Sequence, residues 1–147
     1  MQRWRETLEE RWNEWRQVED ALSRALEGRR VLRVAGPRTP RLLPPATKTI
    51  RSGQLTGLSG TYEAGLACFC MSELKVEERH AFLEAWHARL GEGAMVVIAD
   101  RRGEGCSSAF ELHQLFAEVG TALDVQVGRT FWWVRYEIGA HGRRSYG

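Results

Sequence analysis

Apolar residues return at three- and four-residue steps from the first turn of the chain: Trp4, Leu8, Trp12, Trp15, Val18, Leu22 and Leu26. That spacing places one stripe on a helix, and Gly28 supplies its C-terminal stop. The remaining positions carry Arg3, Arg5, Arg11 and Arg16 among Glu6, Glu9, Glu10 and Glu14, the pattern of a solvated, internally paired face. A mostly apolar run at about residues 30–35, ended by Gly36, reads as a buried parallel strand. All four prolines follow, Pro37, Pro40, Pro44 and Pro45, so this stretch is loop or extended chain and not a crossover helix. Residues 47–51 alternate enough for a short strand, and 52–60 form a glycine-rich turn.

The second half alternates strand and helix. A strand is predicted over residues 62–71, and a helix over 77–90 from Ala81, Phe82, Ala85, Trp86 and Leu90, stopped by Gly91 and Gly93. Residues 94–100 give another strand, 100–108 a polar loop, and Phe110, Leu112, Leu115, Phe116 and Val119 a helix ending at Gly120. Strands at 122–127 and 130–138 close the pattern as an antiparallel hairpin around Gly128 and Arg129. This order predicts one α/β domain over residues 1–138, a reduced doubly wound sheet with an antiparallel last strand, and a frayed tail at 139–147.

Composition narrows the class. With 147 residues, 43% of them hydrophobic, the chain can bury one modest core. A formal charge of +2 argues against nucleic acid as a partner. No long apolar run opens the sequence, so neither a signal peptide nor a membrane span is expected. Three cysteines, two of them in an apolar strand pattern, fit a reduced, cytoplasmic protein better than a disulfide framework.

The stretch Tyr62-Glu63-Ala64-Gly65-Leu66-Ala67-Cys68-Phe69-Cys70-Met71-Ser72-Glu73-Leu74, and Leu90-Gly91-Glu92-Gly93-Ala94-Met95-Val96-Val97-Ile98-Ala99-Asp100 after the next helix, resemble strands four and five of class I S-adenosylmethionine-dependent methyltransferases. The resemblance spans roughly residues 10–138. It implies a Rossmann-like sheet with a cofactor at the carboxyl ends of the strands, where Ala35, Gly36 and Ser72 would stand against S-adenosylmethionine. The family's strand one ends in an acid followed by a Gly-x-Gly-x-Gly loop. The corresponding positions here are Arg33, Ala35, Pro37 and Thr39, all changed.

The same resemblance exposes a deletion. Between strands one and four the family builds further strand-helix units, one of which ends in an acid that binds the ribose. Each such unit needs about 30 residues, whereas residues 37–62 number 26 and contain every proline. No Asp or Glu lies between Glu27 and Glu63. No cofactor is therefore expected to bind well, and a homodimer or protein partner is expected to cover the missing layer, with Trp12, Trp15 or Trp132 as anchors.

Other chemistry is sparse. Cys68 and Cys70 alternate on a predicted strand and so should share a face, but no second pair completes a zinc set with them, and no metal is expected. Ser72 and Glu73 fall at the carboxyl end of a strand, where Glu73 is the candidate base or amine ligand. His80 and His87 are seven apart on one helix, His113 lies near Glu111, and Asp100, Arg101 and Arg102 follow a strand into a predicted exposed loop. Three readings stay open: a non-catalytic assembly or partner-binding module, an active methyltransferase with an atypical or subunit-shared pocket, and a binder of another small ligand through Glu73, Asp100 and neighbouring arginines.

Overall fold

The computed structural model describes residues 2–36, 41–55, 61–102, 114, 116–117 and 120–138. Helix α1 (Gln2–Leu26) ends where Gly28 turns to φ +76° and the Arg29 amide closes on the Leu26 carbonyl. Its apolar stripe divides in two. Trp15, Val18, Leu22 and Leu26 are buried, whereas Leu8 and Trp12 stand 43% and 47% exposed. The first half of the helix thus runs past the layer on which the second half packs.

Six strands follow: β1 (Val31–Ala35), β2 (Lys48–Ile50), β3 (Tyr62–Cys68), β4 (Leu90–Arg101), β5 (Thr121–Val127) and β6 (Phe131–Glu137), with helix α2 (Val76–His87) between β3 and β4. They form one sheet in the order β2-β1-β3-β4-β6-β5. β1 pairs in parallel with both β2 and β3, β3 in parallel with β4, and β6 runs antiparallel between β4 and β5. Fold class and hairpin agree with the sequence pattern, and the single short strand that fitted between 47 and 51 is β2.

Three boundaries differ from the sequence expectation by three or more residues, the first at α2, which stops at His87 rather than Leu90. β3 stops at Cys68 rather than Met71, because Phe69 takes a left-handed φ of +58°. β4 starts at Leu90, four residues early. Its register against β3 jumps from Tyr62–Leu90 to Ala64–Met95, so the glycines around Glu92 form a bulge within the strand and not merely a helix stop. Gly93, at φ +77°, donates its amide to the Ile138 carbonyl at 2.7 Å from inside that bulge.

Both faces of the sheet are covered. On one face α1 and the segment at residues 42–46 bury Val31, Ala64, Leu66, Cys68, Val97, Ala99 and Phe131. On the other, Phe82, Leu83 and Trp86 of α2 pack with Ile50, Leu55 and Phe116 over Leu32, Val34, Val96, Ile98, Trp132 and Tyr136. The alternation of Phe131, Trp132 and Trp133 sends Trp132 into this second core and Trp133 to the α1 side. Strand one is therefore shielded within the chain. Trp15 (2% exposed) and Trp132 (3%) are core residues, so of the three anchors expected from sequence only Trp12 faces solvent. Of the expected helix over 110–119, Gln114, Phe116 and Ala117 are helical; its other residues and the tail at 139–147 lie outside the described residues.

Candidate functional site

The carboxyl ends of β1, β3 and β4 lie side by side, and the exits of the first two strands press together. The Gly36 amide donates to the Cys68 carbonyl at 3.3 Å. A β-carbon at Gly36 would collide with the Phe69 carbonyl and sit 3.2 Å from the Cys70 α-carbon. Glycine is required here for close backbone approach, but what it approaches is the chain itself. Ala35 beside it is half-buried, paired with Cys68 across the parallel ladder.

Phe69 holds the closure. A phenylalanine in the left-handed region costs of order 1–3 kcal/mol, offset by its ring contacts. The ring meets Trp15 edge-on at 5.0 Å and Phe131 at 5.9 Å, and the Arg101 guanidinium lies 5.4 Å from its centroid. The reversal at Phe69 corrects one sequence expectation: Cys68 enters the α1-side core and Cys70 the α2-side core, so the two thiols do not share a face. Burial pushes the Cys68 thiol up to about 12, with Arg33 opposing, and raises Cys70 as well. Both are thiols, not thiolates, at neutral pH. Among the described residues no three of His, Cys, Asp and Glu gather in a way that could hold a metal.

Arg33, where the family has an acid, is committed to the proline segment. Its Nε donates to Thr49 Oγ1 at 3.1 Å and its Nη1 to the Pro44 carbonyl at 2.7 Å. Trp15 Nε1 donates to the Leu42 carbonyl at 2.8 Å, and the Val31 amide to Thr47 Oγ1 at 2.9 Å. Residues 42–49 are thereby stitched to α1 and β1.

Glu73 is exposed at the end of a 3₁₀ turn (Met71–Glu73) just past β3, its own amide donating to the Cys70 carbonyl. Ser72 precedes it in that turn. Asp100 is not in an exposed loop: it is the penultimate residue of β4, 2% exposed, with Oδ1 accepting the Arg101 amide at 2.7 Å. His80 lies on the surface of α2 3.6 Å from Glu84, while His87 sits half-buried with Nε2 2.5 Å from the Tyr136 hydroxyl. The two histidines do not converge. His113, Glu111 and Cys106 lie outside the described residues.

Glu14 was legible only as part of a solvated Arg/Glu face, yet its carboxylate accepts three backbone amides of the β5–β6 turn: Arg129 at 3.1 Å, Thr130 at 2.9 Å and Phe131 at 2.7 Å. No local pattern signals a partner more than a hundred residues away. Two grooves of about 540 Å³ and 740 Å³ flank α1, one against residues 45–47 and the start of β1 and one beside Trp12, Arg16 and Leu42, and neither is lined by the carboxyl ends of β1, β3 or β4.

No protein-family model and no curated sequence matches the chain. Solved structures do. The N-methyltransferase NodS from Bradyrhizobium japonicum WM9 aligns with a TM-score of 0.60 at 10% identity, over 87% of this chain and 96% of that one. The fold is that of the class I methyltransferases. A methyltransferase-family protein from Burkholderia thailandensis, described as an O-methyltransferase, gives a TM-score of 0.61 at 7% identity, over 84% of this chain but only 56% of its own. Magnesium protoporphyrin IX methyltransferase from Synechocystis PCC 6803, solved with S-adenosylmethionine bound, gives 0.56 at 10% identity over 84% and 79%. Among the described residues, β2 is the strand found between β1 and β3.

Proposed function

We propose that this chain is a non-catalytic member of the methyltransferase fold that acts as an assembly or partner-binding module. The observation that carries this reading is the closure of Gly36 onto Phe69. It spends the amide at the exit of β1 on Cys68 and sets the Phe69 carbonyl against Gly36, which supports a strand exit that packs on its own neighbour in place of a ligand. The residues do not fit S-adenosylmethionine in two further respects. Arg33 replaces the acid at strand one, and no carboxylate exists between Glu27 and Glu63 to hold a ribose. Buried polar groups left without partners cost about 1–3 kcal/mol each, so two such losses, about 2–6 kcal/mol, move a micromolar ligand towards the millimolar range. Calorimetry with S-adenosylmethionine and S-adenosylhomocysteine on the purified chain is expected to give no saturable heat. Micromolar binding of either would reject the proposal.

The surface available for partners is the outer half of α1, where Leu8 and Trp12 remain exposed on an otherwise charged helix. A homodimer or a hetero-partner seated on this stripe would bury the aromatic anchor that the chain itself leaves uncovered.

A further inference from the structure

We infer that the β5–β6 turn is an oxyanion-binding site, filled in the resting chain by its own Glu14. Three successive amides, at Arg129, Thr130 and Phe131, converge on one carboxylate at 2.7–3.1 Å, the geometry by which backbone nests hold anions. Gly128 shapes the hollow: a β-carbon there would lie 2.9 Å from Glu14 Oε2 and push the carboxylate out. Two guanidinium groups border it. Arg102 is held on the turn by the Gly128 carbonyl at 2.5 Å, and Arg129 lies 3.9 Å from Glu10, the other carboxylate nearby. The recognised chemistry is a carboxylate or a phosphate monoester, which would take Glu14's place when that side chain rotates out of the turn.

The exchange would move more than one side chain. Trp15, the next residue, packs on Phe69 and Phe131 and holds Leu42, so release of Glu14 loosens the contacts over the strand ends and the proline segment together. The inference does not depend on whether the chain binds a cofactor.

The test uses the full chain with Glu14→Ala. Trypsin cleavage after Arg11 and Arg16 is expected to accelerate roughly tenfold or more, the loss attached to a single charge-assisted hydrogen bond. Acetate or inorganic phosphate, against chloride at equal ionic strength, is expected to restore protection saturably and to shift the amide resonances of residues 129–131. Rescue by acetate alone assigns the site to carboxylates, and rescue by phosphate alone to phosphorylated ligands. Amides that respond to neither, or equally to chloride, overturn the inference. Should Glu14→Ala fail to fold, Glu14→Gln keeps one acceptor without the charge. It should show intermediate cleavage and the same anion-dependent shifts, and resonances indifferent to anion would be equally fatal.

Discussion

Gly65 lies under the indole of Trp86, and the pair shows how a single hydrogen decides packing. A β-carbon at Gly65 would fall 2.6 Å from Trp86 Cζ2 and 2.8 Å from Leu90 Cδ1. Trp86 is fully buried, stacked on Phe82 at 5.7 Å, with no hydrogen-bond partner for its Nε1 among the described residues, so it has little freedom to yield. Gly65→Ala is expected to destabilise the fold by about 1–3 kcal/mol through overpacking, measured as a lower urea midpoint at unchanged slope. His87 makes a second prediction. Burial lowers its pKa from 6.5 to about 4, so below pH 6.5 the unfolded chain takes up a proton that the folded chain refuses. Stability is complete above that value and falls as pH drops from 6.5 towards 4, by up to about 3 kcal/mol. Denaturation at pH 7 and pH 5 in the native chain and in His87→Gln checks it, the variant losing this part of the pH dependence. The sequence located His87 on the right helix, but its partner Tyr136 is 49 positions away on another element, and no spacing rule joins them.

Among the elements, α1 carries two different kinds of tryptophan on one stripe. Trp15 is enclosed by Phe69, Phe131 and a hydrogen bond to Leu42, so Trp15→Ala should cost about 3–5 kcal/mol. Trp12→Ala, at an exposed site, should change stability by less than about 0.5 kcal/mol while weakening any self-association seen by sedimentation velocity. Equal stability losses would mean that the outer half of the helix is packed after all. Helical periodicity identified this stripe but could not say where the sheet beneath it ends. The strand boundaries failed for a related reason. Alternation assumes extended backbone throughout, and it breaks at Phe69, where a positive φ sends Cys68 and Cys70 to opposite faces. A glycine pair that normally ends a helix serves instead as a bulge in β4, because its partner Tyr62 fixes the register on the far side.

For the molecule as a whole, the succession of strands along the chain and the antiparallel last strand were legible, since apolar runs and a hairpin turn encode them locally, while their order within the sheet was not. The fate of the crevice was legible in part. The residues Arg33, Ala35, Pro37 and Thr39 and the shortage of residues after them were readable as departures from the pattern that the resemblance implies, but not the contacts made at the exits of β1 and β3. The rest lies in tertiary contacts: Gly36 on Phe69, Arg33 on Pro44, and Trp15 on Leu42. It also altered the expectation for the exposed surface, because α1 and residues 42–46 cover strand one while Leu8 and Trp12 of α1 stay exposed. The contact between Glu14 and the β5–β6 turn has one more effect, on the order of events during synthesis. The helix is made before the turn, and the three amides that hold Glu14 lie 115 to 117 residues later. Contacts so distant in sequence form slowly, and a nascent chain carrying Trp12 and Trp15 on an unfastened stripe is open to misassociation until the hairpin emerges.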